Sequence, residues 1–433
     1  MNFPYDTIVI GGGSSGMMAA IISARTGQKV LLVEKNKNLG EKLKISGGGR
    51  CNILNYELDT AKLLANYSEA NKFLFSPFSK FGVKESEEFF KNLGIEIKIE
   101  DRKRAFPKSE KALDVFNVLN KELERLNVEV LTETKVLNIN FKLFEKVKKV
   151  SGIKTRTSIG EEKIFQAQKY IVACGGYSHP ETGSTGDGFK FLEVEGIKIN
   201  TPVPSLVPVA VSNNWVKKLT GKTVENIKIS FYVDGAKKKV LKLTDAKSKE
   251  TKNRVLFTHF GLSGPTILNN SKYINELLSE GEVVVVFDLF PQLDEKQMDK
   301  FLLEIFEGNL NKSFKSVLKE IYPGNILEEI LLENLPDLDL SKKINDIRVQ
   351  ERKAILNLLK NLKINITGLM GFDKAIIASG GVDVSEVNFE NMSLKKINNL
   401  CVTGDMLDIN RPSGGYSLQL CWTTGYIAGS GNL

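Results

Sequence analysis

The chain has 433 residues, 42% of them apolar and 26% charged, with a mean hydropathy of −0.14; that length exceeds what one core usually serves and predicts two or three soluble domains. No apolar run reaches the ~18 residues of a membrane span, and the N-terminus reads as a core strand and not as a signal sequence, so a cytoplasmic protein without a membrane partner is expected. The net charge of +8 comes from lysines spread along the chain, densest at Lys237, Lys238 and Lys239; with no recognition motif beside them they describe a solvated basic surface, and a nucleic-acid partner is not expected.

The first predicted elements form one βαβ unit. Residues 7–10 are a β-branched apolar strand that ends at Gly11, Gly12, Gly13, Ser14, Ser15, Gly16, a GxGxxG turn. Residues 17–25 read as a helix, closed by Gly27, and residues 29–34 (KVLLVE) as a second strand ending on Glu34. Gly11 permits the tight turn, Gly13 lets backbone approach a pyrophosphate, and Gly16 lets helix and strand pack closely, while the helix N-terminus presents N–H groups to the phosphates. Glu34, 18 residues after Gly16 and followed by Lys35, is placed to accept ribose hydroxyls and to repel a 2′-phosphate. On these residues alone the unit binds a dinucleotide, NAD as readily as FAD.

Residues 39–55 then read LGEKLKISGGGRCNILN, in which Ser46, Gly47, Gly48, Gly49, Arg50, Cys51 and Asn52 make a loop able to wrap a flat anionic ligand closely. The phenylalanine-rich stretch 73–90 has helix-like spacing and reads as core. Residues 112–126 form a helix with Leu113, Phe116, Leu119 and Leu123 on its apolar face, leading into a strand at 128–131. Residues 142–169 alternate as a small antiparallel meander, and the buried strand 170–173 (YIVA) ends at Cys174, Gly175 and Gly176, a strand terminus of the kind that carries ligands in open α/β sheets. Gly186 and Asp187 open a helix at 189–194, with Asp187 as a cap.

Three prolines at 202, 204 and 208 mark a boundary, after which strands at 207–211, 224–233, 240–243, 255–259 and 283–289 suggest an inserted barrel or sandwich. Residues 294–362 carry the spacing of amphipathic helices. Strands return at 375–378, before Gly380 and Gly381, and at 400–403, before Gly404 and Asp405; Gly414, Gly415 and Tyr416 precede a last helix at 417–428. The expected division is 1–195 and 363–433 as the nucleotide domain, 196–293 as the β-rich insert and 294–362 as a helical subdomain. Cys51, Cys174, Cys401 and Cys421 stand apart and the only histidines are His179 and His259, so neither a metal site nor a dithiol centre is expected.

Taken together, GGGSSG, SGGGRCN, GGYSHPETGSTGDG, FTHFGLSGP and GDMLDINRPSGGYSLQLCWTTG resemble the BaiN/YhiN-like flavoproteins, a group of aminoacetone-oxidase-type and NAD(P)/FAD-dependent oxidoreductases. The resemblance covers nearly the whole chain in order. It implies an α/β fold of the two-dinucleotide-binding-domain type, FAD as cofactor, NADH or NADPH as transient electron donor, and a small-molecule substrate; a non-catalytic or RNA-associated flavin-binding protein, suggested only by the charge, is the alternative. It further implies a backbone contact from Val136 to the adenine, Asp405 on the ribityl hydroxyls where the family commonly has Glu, and the 46–52 loop and the Gly414, Gly415, Tyr416 helix start around the isoalloxazine. A helix N-terminus aimed at that ring would stabilise its reduced form. No general acid or base stands out; Cys51 as a thiol beside the flavin and His259 in the FTHFGLSGP turn are the candidates, each with a packing role as the alternative.

Overall fold

The computed structural model describes residues 3–145, 147–234, 240–243 and 253–431; the lysines at 237–239 lie outside them. The chain divides into two compact units, residues 1–204 with 372–433, and residues 205–371.

In the first unit β1 (Tyr5–Ile10) is buried at all but one position and pairs in parallel with Ala167–Val172 on one side and with β2 (Val30–Val33) on the other. Its apolar run from Ile8 to Ile10 suits a strand covered on both faces. Strand Ile397–Val402 joins Ala167–Val172 in parallel and Glu129–Leu131 joins β2, while two short antiparallel strands extend the far edge. The sheet thus brings strands from the two ends of the chain to either side of Ala167–Val172.

Helix α1 (Ser14–Arg25) lies against the C-terminal helix Tyr416–Ser430. A methyl added at Gly425 would stand 2.5 Å from the Ser15 carbonyl, and one at Gly429 2.7 Å from that of Ala19, so small residues let these helices touch. Both are buried nearly all round, which is why neither shows an amphipathic stripe. Lys169, 4% exposed, donates to the carbonyls of Ala428 and Gly431, satisfying acceptors that the helix end leaves open.

Helix Ala112–Arg125 buries Val115, Leu119 and Leu123, but Leu113, expected on that face, is 52% exposed. Glu122 takes part of the buried face instead, because Arg25 (2.6 Å) and Arg125 (2.7 Å) neutralise it there. An antiparallel meander forms over 134–165, as Thr134–Phe144, Val147–Thr157 and Glu162–Phe165; it starts before the expected 142–169, and residues 167–169 belong to the parallel sheet instead.

The second unit is built on an eight-stranded antiparallel sheet. The single strand expected at 224–233 is two, Thr223–Glu225 and Lys228–Asp234, interrupted at Asn226, whose φ is 57°. Phe231, Phe257 and Phe287 from the sheet share one core with Leu302, Phe314, Val317 and Ile330 from the helices between 295 and 360. The helical stretch therefore belongs to the same unit as the strands and is not a separate subdomain. The unit also runs on to residue 371, because strand Leu362–Leu369 pairs with both Val209–Val211 and Glu282–Asp288.

Candidate functional site

β1 ends at Gly11, whose φ of 103° suits only glycine; an added Cβ would lie 2.6 Å from the Ala173 carbonyl at the end of the neighbouring strand. A Cβ at Gly16 would run into the Gly11 carbonyl and stand 3.2 Å from the Ala173 methyl. Gly13 differs: a Cβ there meets nothing within 4 Å, so its backbone borders open space where Ser14 begins α1 and Ser15 is buried beside the Gly404 backbone. Two glycines serve packing and the third leaves room for an approaching group.

Glu34 is 8% exposed, and each of its carboxylate oxygens accepts one backbone N–H, from Gly12 (2.7 Å) and Asn36 (2.8 Å). Its carbonyl accepts from Thr134 N, which brings the strand carrying the buried Val136 beside it. Lys35 is committed elsewhere, to Asp187 (2.6 Å) and Thr185 (2.5 Å). Asp187 is the first residue of its helix and not the cap; burial pushes its carboxyl up, but Lys35 outweighs burial and holds it below the usual range.

The 46–52 loop turns through left-handed φ at Gly47 (58°), Gly48 (68°) and Gly49 (84°). A Cβ on Gly47 would stand 2.8 Å from Asn52 N, whereas Gly48 and Gly49 have nothing within 4 Å. Ser46 closes the turn, its carbonyl accepting from Cys51 N (2.9 Å) and its hydroxyl donating to Leu43 O (2.7 Å). Asn52, its amide oriented to suit its neighbours, donates to Leu54 O and Ala105 O and accepts from Gly415 N (3.0 Å). Asn55 Nδ2 donates to Gly414 O (3.0 Å), Tyr67 Oη to Tyr416 O (2.9 Å) and Trp422 Nε1 to Ile53 O (3.0 Å). The loop is thereby clamped to the start of the C-terminal helix, across a separation of 359 residues from Asn55 to Gly414.

Two side chains of this loop are held within the protein. Cys51 is fully buried and its thiol is pushed up to about 12 by burial, so it is a packed thiol and not a reactive one. Arg50 Nη2 pairs with Glu100 (2.6 Å) and Glu110 (2.9 Å) and the guanidinium lies 4.1 Å from the centre of the Phe106 ring, while its buried Nε has no protein partner. His259 belongs to the second unit, exposed on the turn between strands Arg254–Phe257 and Gly261–Ser263; helix Pro265–Leu278 starts from Gly264, so His259 does not cap it.

Beyond Ala167–Val172, Gly175 adopts φ 73°, and a Cβ on Gly176 would stand 3.2 Å from the Asp405 carbonyl. A Cβ on Gly404 (φ 60°) would lie 2.7 Å from Ser15 Oγ. The ends of three parallel strands thus converge. At their junction the Asp405 carboxylate accepts from Arg411 Nη2 and from Lys42 Nζ (3.5 Å), and Lys42 also donates to Ser178 Oγ (3.1 Å). Burial pushes the Asp405 carboxyl up, yet the two cations hold it below the usual carboxylate range. Beside it the buried hydroxyl of Thr403 has no protein partner. Sequence reasoning missed Lys42 and Arg411; Arg411 lies inside the GDMLDINRPSGGY stretch, whereas no spacing signal marks Lys42.

Backbone open to a ligand at Gly13, Gly48 and Gly49, an unpartnered hydroxyl at Thr403, the buried Glu34 carboxylate and the part-buried Asp405 carboxylate fit an extended dinucleotide longer than one βαβ unit holds. Fold and site together define a Rossmann-type FAD-binding flavoprotein. The chain belongs to the HI0933-like family: the profile of the HI0933-like protein Rossmann domain matches residues 5–431. It is 28% identical to the 3-dehydro-bile acid delta(4,6)-reductase of Clostridium scindens, over 97% of each chain. It is 26% identical to the ribosomal RNA dihydrouridine synthase of Escherichia coli, over 98% of this chain and 96% of that one. Among solved structures, 3-ketosteroid delta1-dehydrogenase from Sterolibacterium denitrificans matches with a TM-score of 0.53 at 15% identity over 98% of each chain, a likeness of fold. The protein is an FAD-dependent oxidoreductase. Among the described residues no helix is long and apolar enough to cross a membrane.

Proposed function

We propose that the protein adds a hydride and a proton, two electrons and two protons in all, across an activated carbon–carbon double bond, NADH or NADPH giving up the hydride and solvent supplying the proton. The observation that carries the cofactor assignment is the convergence of Gly11 to Gly16, Gly175 to Gly176 and Gly404 to Asp405 at one sheet edge, with the 46–52 loop tied to the C-terminal helix start. The reaction class is supported by the full-length relatives, since a delta(4,6)-reductase and a dihydrouridine synthase both saturate a C=C bond. FAD, when bound, supplies the two-electron carrier. The backbone at Gly13, with Ser14, Ser15 and the α1 N-terminus, would receive the pyrophosphate. Glu34 would take the adenosine ribose, Val136 the adenine, and Asp405 the ribityl hydroxyls. Gly47, Gly48 and Gly49 would cover one side of the ring system, with Gly414, Gly415 and Tyr416 at its edge, and would exclude water.

A conjugated small-molecule enone is the first reading of the substrate, following the relative at 28% identity. Ribosomal RNA is the second, favoured by the relatives at 26% and 25% identity. The test is anaerobic reduction of the bound flavin with NADH and with NADPH, followed by mixing with a steroid dienone or with unmodified ribosomal RNA. Rapid reoxidation by one of them, with one C=C lost per flavin, is expected. A flavin that either nucleotide reduces but neither substrate class reoxidises overturns the reaction class; protein that takes up no FAD overturns the cofactor placement too.

A further inference from the structure

Arg411 has a side chain only 1% exposed, and its nitrogens reach three different places. Nη2 donates to the Asp405 carboxylate, Nη1 to the Ile409 carbonyl (2.7 Å) and Nε to Ser417 Oγ (3.0 Å) in the first turn of the C-terminal helix. Lys42 brings a second ammonium to 3.5 Å from the other Asp405 oxygen. Asp405, Arg411 and Lys42 are also the three charged groups that act on the buried Cys421 thiol, which packs 3.3 Å from where a Gly404 Cβ would stand. The inventory is two cations to one carboxylate, at the N-terminus of a helix whose dipole adds positive potential. Arg411 is matched by Asp405, so the positive charge in excess is that of the Lys42 ammonium, 27% exposed, and the cluster as a whole favours an anion arriving beside it.

We propose that Arg411 is a redox-positioning residue: it locks Asp405 to the start of the C-terminal helix and holds positive charge where FAD becomes more negative on taking up two electrons. This rests on the FAD placement above. A fixed charge in a water-excluded site acts on the electron-rich form with no cost of reorganisation. Arg suits the task because its planar fork serves three acceptors at once and stays charged when buried.

The test is the midpoint potential of the bound flavin, measured by spectroelectrochemical titration of the holoenzyme. Arg411→Gln should lose about tenfold in preference for reduced over oxidised FAD, a fall of about 30 mV for a two-electron couple. Arg411→Lys, which keeps the charge, should recover most of that loss. A potential unchanged in Arg411→Gln, with only thermal stability reduced, overturns the proposal and leaves a structural tie. If Arg411→Gln does not fold, Lys42→Met is to lower the potential in the same direction, and an unchanged value there overturns the proposal equally. Wild-type protein that binds no FAD would instead sink the cofactor placement, a failure visible in the absorption spectrum before any titration.

Discussion

Gly13 and Gly16 are three residues apart in one turn, yet the structure assigns them opposite consequences on substitution. A methyl at Gly16 overlaps the Gly11 carbonyl oxygen and sits 3.1 Å from its carbon and 3.2 Å from the Ala173 methyl. Since carbon contacts relax at about 3.5–4.0 Å, α1 must move off the sheet, and overpacking of this kind costs about 1–3 kcal/mol. Gly16→Ala should therefore lower Tm by several degrees with or without FAD. A methyl at Gly13 touches nothing in the protein, and its φ of −79° is open to alanine. Gly13→Ala should leave the stability of the FAD-free protein within about 0.5 kcal/mol of wild type. The same methyl occupies the space into which a pyrophosphate would come, costing one charge-assisted hydrogen bond of about 1.5–3 kcal/mol, or roughly 10- to 100-fold in Kd. Differential scanning fluorimetry with and without FAD, and calorimetric FAD titration, separate the two effects. Wild-type FAD affinity in Gly13→Ala would refute the assignment of that open space to the cofactor.

Two further outcomes follow from the buried groups. Cys51, with its thiol pushed up to about 12 by burial, should stay unlabelled by iodoacetamide in the native protein at pH 8, and Cys51→Ala should keep turnover within a few-fold of wild type; rapid labelling mapped to Cys51 contradicts its packed role. Asp405→Asn leaves Arg411 buried without its carboxylate and should cost about 3–5 kcal/mol. Burial raises the Asp405 carboxyl but Arg411 and Lys42 more than reverse this. Its contribution is therefore complete above the ordinary carboxylate value of about 3.9 and is lost as pH falls through the depressed value. Urea unfolding should show the gap between wild type and Asp405→Asn narrowing below about pH 4, and a gap independent of pH would exclude the charge as its source.

Much of the frame is legible in linear order. The strand, GxGxxG turn, helix and terminal acid lie within 30 residues, and each glycine's role follows from local backbone geometry. The alternation of 142–169 likewise forecasts its meander, because pairing between neighbours in sequence needs no distant partner. Side-chain partners are less legible. Lys35, Arg50 and Cys51 are the residue types a cofactor loop would use, yet Asp187, Glu100 and Glu110 claim the two cations and burial silences the thiol. The separate helical subdomain failed for a related reason: periodicity reports that a helix has an apolar face, not which sheet covers it.

Spacing along the chain was enough for a dinucleotide fold, since turns, helix starts and strand periods arise from contacts a few residues apart. The Lys42, Asp405 and Arg411 cluster and the clamp between Asn52, Asn55 and the Gly414 to Tyr416 helix start exist only because the parallel sheet sets residues 167–172 between the first strand and the last. The Lys42 and Asp405 charges, 363 residues apart, leave no local trace, because their energy depends on distance in space and on shared burial, and only the tertiary fold decides either.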